Sequence, residues 1–132
     1  MSRYVHVATH LRALDEVVAG LRELGLEPEV AEIPQGLALA GSLECAGEPV
    51  DLRLPPGALG SVEDFGWRRE EDGALTLICG EPDRAHLDRH LLGPLRQAIA
   101  RARVRQAAGA AGLEVDEERA SDGSIHLKVR QR

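Results

Sequence analysis

The sequence predicts a single α+β domain over residues 1–132, a mostly antiparallel sheet with two helices, the second long and kinked, packed on one face. Three observations carry this. Two stretches place apolar residues at helical spacing, several short runs alternate apolar and polar residues between turn signals, and the longest helical stretch runs straight into a closing hairpin. A chain of 132 residues suits one hydrophobic core. Tyr4, Phe65 and Trp67 are its only aromatic residues, so Leu, Val, Ile and Ala must fill most of that core.

In chain order, Tyr4-Val5-His6-Val7-Ala8 is a β-prone run. From Leu11 to Gly25, Leu14, Val17, Val18, Leu21 and Leu24 form one helical stripe, and Gly25 suits a left-handed cap. Leu26 to Ile33 reads as a second strand before the turn Pro34-Gln35-Gly36. Leu37 to Cys45 and Val50 to Leu54 read as two paired strands, with Glu44, Asp51 and Arg53 on their solvated side. Pro55-Pro56-Gly57 offers too few N–H donors for a ladder, so a loop runs to about Ser61.

Val62 to Arg69 and Ala74 to Cys79 flank the hairpin signal Asp72-Gly73. Phe65 and Trp67 share one side of the first of these strands. They either cap the core or form an exposed patch, and the scarcity of large residues favours burial. Pro82 to Gly112 is the long helix, with Leu87, Leu91, Leu95, Ile99 and Ala102 as its stripe; Gly93-Pro94 interrupts it by removing a backbone donor. In the final hairpin a three-residue loop, Ser121-Asp122-Gly123, pairs Val115 with Val129 and sets Glu118, Asp116 and Glu114 opposite His126, Lys128 and Arg130. A shift of one residue loses that charge match. The two helix exits, Leu24-Gly25-Leu26-Glu27 and Ala111-Gly112-Leu113-Glu114, echo one another.

A net charge of −6 argues against nonspecific nucleic-acid binding, which needs a basic surface. No apolar run approaches the roughly 20 residues of a membrane helix. Cys45 and Cys79 are far apart, with no Cys-x-x-Cys and no apolar leader, so the expected setting is a reduced cytoplasm rather than a secreted disulfide scaffold. Neither Gly-x-Ser-x-Gly nor Gly-x-x-x-x-Gly-Lys occurs, and no cofactor is expected.

Two sets of residues compete as functional groups. His86 and His90, four apart on the long helix, could reach one metal with Asp83 and Cys79 completing the site; against this, the catalytic glutamate of His-Glu-x-x-His is absent. Cys79 before a helix start could carry a lowered pKa, or could be an ordinary core thiol. The other set is a docking surface around Phe65, Trp67 and the arginines Arg96, Arg101, Arg103 and Arg105, which make the second half of the long helix basic. Such a run also serves as a solvated helix face near the C-terminal end of the dipole.

Several stretches together resemble a family of small hypothetical chloroplast reading-frame (Ycf-type) proteins of algal plastids, cyanobacteria and other bacteria, a domain of unknown function. They are the Met1-Ser2 opening, Leu11 to Leu26, Glu63-Asp64-Phe65-Gly66-Trp67, and Gly112-Leu113-Glu114-Val115 followed by Asp122-Gly123-Ser124-Ile125-His126-Leu127. The chain departs from the family pattern at Ile99 and Arg101, where relatives carry helix tyrosines, and at Arg3, where they carry histidine. The resemblance implies no catalytic residues. It implies an accessory role beside an AAA-type ATPase, which makes the expected function a noncatalytic protein-binding module, with the His86/His90 metal-binding protein or enzyme as the alternative.

Overall fold

A computed structural model describes residues 3–32, 35–41 and 47–132 of the chain. Its centre is an antiparallel sheet of five strands in the order β1-β7-β6-β5-β2: β1 Tyr4–Ala8, β7 Leu75–Gly80, β6 Phe65–Arg69, β5 Leu52–Leu54 and β2 Glu29–Val30. Side chains in register build one face row by row. Val7, Leu77, Trp67 and Leu52 face one another across four strands, and Val5 with Cys79, and Phe65 with Leu54, make the next row. On this face lie helix α1 (Leu14–Glu23) and a long helical segment made of α2 (Arg84–Leu87), a π-turn (Asp88–Leu92) and α3 (Gly93–Ala110). Val17 and Leu21 of α1 meet Leu87, Leu91, Leu95 and Ile99 over Phe65 and Trp67. The α+β class and the placement of two helices, the second long, are as the periodicity predicts.

The interruption at Gly93-Pro94 takes the form of the π-turn. Proline has no N–H and crowds the carbonyl of the preceding turn, and a wider turn just before it relieves both. The extra residue turns both Leu91 and Leu92 into the core and advances the stripe to Leu95, Ala98 and Ile99, which leaves Ala102 exposed rather than buried. Both glycine exits are left-handed, Gly25 at φ 84° and Gly112 at φ 71°. At the first, Leu26 donates to the carbonyl of Leu21 and Gly25 to that of Arg22, both at 3.0 Å, so the helix end is satisfied by its own chain.

Three expectations about the sheet need correction. The strand expected over Leu26 to Ile33 is two residues long among the described ones, with Ile33 outside them. The expected pairing of Leu37 to Cys45 with Val50 to Leu54 is divided. β3 (Leu37–Leu39) pairs with β4 (Glu48–Val50) as a separate ribbon, and after Asp51 the chain enters the central sheet as β5; Glu44 and Cys45 lie outside the described residues. Asp51 divides the two because its N–H donates to Trp67 and its carbonyl accepts from Ala31, tying it into the central sheet. Its carboxylate accepts the N–H of Arg69, and Arg53 pairs with Glu29, so neither is a purely solvated charge. The β3–β4 ribbon covers the second face of the sheet, where Leu39, Val50 and Ile78 form a smaller core with Tyr4 and Leu37.

The final hairpin, β8 (Leu113–Arg119) and β9 (Ile125–Gln131), has the predicted register: Val115 faces Val129, and Glu114, Asp116 and Glu118 face Arg130, Lys128 and His126. The sequence places this hairpin in one sheet with the middle hairpin and the N-terminal strands; instead it stands as its own two-stranded ribbon, because its strands pair only with each other. The ribbon packs against α3, where Glu117 receives Arg101 at 2.8 Å and also Arg105.

Candidate functional site

The arginines of α3 fasten the helix to its own protein. Arg96 donates to the carbonyl of Thr9 at 3.1 Å, and Arg103 grips both oxygens of Glu16 at 2.6 Å. Arg101 bridges Glu23 of α1 and Glu117 of β8, and Arg105 binds Glu117 as well. The hydrogen bond from Arg103 holds the Glu16 carboxyl below its ordinary range, and Arg105 and then Arg101 do the same for Glu117. As a docking surface the four arginines are therefore largely spent on internal pairs. Phe65 and Trp67 are fully buried, edge to face with centroids 6.2 Å apart, and have no surface to offer a partner. Burial thus takes Phe65 and Trp67 out of the expected contact patch, while Arg103 and Arg105 stay at the surface within their ion pairs.

The metal candidates gather at the start of the long helix, but in structural employment. Asp83 is buried, and its carboxylate accepts the backbone N–H groups of Val62 at 2.9 Å and Glu63 at 3.0 Å. His86 Nε2 meets the carbonyl of Leu59 at 2.6 Å, which fixes the donor tautomer and pins a loop whose Leu59 is left-handed at φ 52°. The His86 and His90 rings are in contact, with centroids 4.5 Å apart. Cys79 is fully buried; burial, then the nearby Asp83 charge, pushes its thiol up to about 11, away from the reactive range. Among the described residues no three His, Cys, Asp or Glu side chains converge as a metal site. The spacing of His86 and His90 thus brings two rings together, while Asp83 and Cys79 serve the loop and the core.

Sequence reasoning passed over the partners in this latch. Ser61 Oγ and one oxygen of Glu63 are buried without a hydrogen-bond partner among the described residues, and Gly80 leaves room beside that oxygen. Their only signal was a loop bounded by Gly57 and Gly60, which shows a turn but not what the turn holds.

The surface with unmet apolar demand is the β8–β9 ribbon. Leu113, Val115, Ile125, Leu127 and Val129 share the face that carries Glu117 and so turns toward α3. One helix covers only part of it: the first four are half-buried and Val129 is 45% exposed. The opposite face is an ion-pair lattice in which Arg130 binds Glu114 at 3.0 Å and Asp116 at 2.9 Å. Among the described residues no helix is long and apolar enough to cross a membrane.

Compared with family models, curated proteins and solved structures, the chain matched none.

Proposed function

We propose that this chain is a noncatalytic accessory protein that docks another protein through its C-terminal ribbon. The observation that carries the reading is the ribbon's apolar face, two strands wide and covered by one helix along one side. An isolated two-stranded ribbon is marginal in water, and a second apolar surface completes it. The chemistry-bearing side chains favour the same reading, because the thiol is buried and protonated and the buried carboxylate of Asp83 is saturated by backbone donors. The Ycf-type resemblance supplies an AAA-type ATPase, in the cytoplasm, as the first partner to test.

The test is native affinity capture of the tagged chain beside a Leu127→Glu, Val129→Glu variant of equal stability. A defined partner held by the wild type and lost by the variant is expected. Equal retention by both would remove the ribbon as the docking surface. Stoichiometric zinc or iron in the purified protein, lost in a His86→Ala, His90→Ala variant, would replace the docking reading with the metal-binding one.

A further inference from the structure

The register of the ribbon determines which backbone groups it leaves open. Ala120 donates to the carbonyl of Ser124 at 2.9 Å, and bonded pairs in an antiparallel ladder recur at every second residue. Glu118–His126, Asp116–Lys128 and Glu114–Arg130 are therefore the pairs that exchange hydrogen bonds. Ile125, Leu127, Val129 and Gln131 turn their N–H and C=O groups away from β8, and among the described residues no strand pairs with that outer edge. The edge contains no proline.

Two rows of side chains flank this edge. On the α3 side stand Ile125, Leu127 and Val129, incompletely covered because the helix binds the ribbon through Glu117 of β8, the far strand. On the other side stand His126, Lys128 and Arg130. The outer edge of β8 carries the reverse charge, Glu114, Asp116 and Glu118. Two β9 edges would set Lys128 and Arg130 against their own copies, and two β8 edges carboxylates against carboxylates, so charge opposes a two-fold pairing of copies through either edge.

We infer that the outer edge of β9 takes up an extended segment of the partner protein in which acidic and apolar residues alternate. This rests on the docking reading and names the chemistry of what docks. Backbone bonds to Ile125, Leu127 and Val129 hold the segment, an acidic residue faces Lys128, which has no ion pair among the described residues while Arg130 already holds Glu114 and Asp116, and its apolar residues extend the half-covered row. The Leu113-Glu114-Val115-Asp116 stretch of β8 has this same alternation and is the internal example of a strand that fits β9.

The probe is a labelled peptide alternating glutamate and valine, titrated with the full chain by fluorescence anisotropy, beside a peptide of equal composition with its glutamates in one block. Saturable binding of the alternating peptide is expected, weakened about tenfold, or about 1.4 kcal/mol, by Lys128→Glu, which turns a pair attraction into a repulsion. Val129→Pro is expected to abolish it. That proline removes an N–H that points outward and so spares the hairpin's own ladder, which circular dichroism and amide exchange of the variant check. Absence of saturable binding, equal binding of the blocked peptide, or indifference to Val129→Pro in a folded variant each overturns the inference. So does concentration-dependent self-association that Val129→Pro dissolves, since the occupant is then a second copy. If Val129→Pro spares a partner that Leu127→Glu, Val129→Glu loses, the docking reading survives and the strand inference does not.

Discussion

Gly66 sits where β6 crosses β5, and a Cβ there would run into the carbonyl oxygen of Leu52, a backbone atom that cannot swing aside. Gly66→Ala should therefore cost about 3 kcal/mol, the upper end for overpacking, read as a lowered denaturant midpoint with unchanged slope. Asp64 offers a second residue-scale test. Its buried carboxylate accepts the Tyr4 hydroxyl at 2.5 Å and the N–H groups of Ala40 at 2.7 Å and Gly41 at 3.1 Å, closing the β3–β4 ribbon onto β1. Asp64→Ala leaves those donors without their acceptor and should cost about 2–4 kcal/mol. Neither role was legible in the sequence, where Asp64 and Gly66 are two members of the Glu63-Asp64-Phe65-Gly66-Trp67 stretch and nothing local shows what either touches. Burial of Phe65 and Trp67 was legible, because composition left few other side chains of their size; their removal from any contact surface follows from the same scarcity. The raised Cys79 thiol predicts that a Cys45→Ser protein reacts with a thiol reagent at pH 8 only after denaturation.

Secondary structure was readable to the extent that each element answers to its own side chains. The final hairpin register follows from charge opposite charge and from Asp122-Gly123; the Asp72-Gly73 turn has the same bonds, its Asp accepting from Ala74 as Asp122 accepts from Ser124. Placement between elements was not readable, since one short strand pairs as well with a separate ribbon as with the central sheet, and Asp51 decides the matter through backbone bonds. The arginines show the same limit: their spacing marks a basic face, but only the fold reveals that Glu16, Glu23 and Glu117 meet it. Those straps carry a pH dependence. Glu16 and Glu117 titrate below the ordinary glutamate value of 4.5 when folded, so their stabilisation is complete above that value and is lost as pH falls through the lowered folded ones. Melting temperature should decline more steeply below about pH 4.5 in the wild type than in a Glu16→Gln, Glu117→Gln variant, which has already lost the ionised partners.

At the scale of the molecule, the ribbon and the central sheet share α3 but no ladder, so they should differ in stability. The sheet, its two helices and the β3–β4 ribbon carry the fully buried side chains; the C-terminal ribbon adds the pairings of Glu117 with Arg101 and Arg105. Its amides should exchange far faster than those of β6 and β7, and Arg101→Ala, which removes one of the two arginines that hold Glu117 of β8 to the helix, should speed the ribbon further while leaving the sheet unchanged. A chain ending at Gly112 should accordingly retain a single cooperative melt, lowered by about 3–8 °C for a loss of about 1–2 kcal/mol in a domain of this size. Loss of cooperative unfolding in that truncated chain would show the ribbon to be part of the folding core. If instead the melt persists, the ribbon contributes little to holding the fold, and its half-covered apolar row and open edge are free of a structural duty toward the sheet.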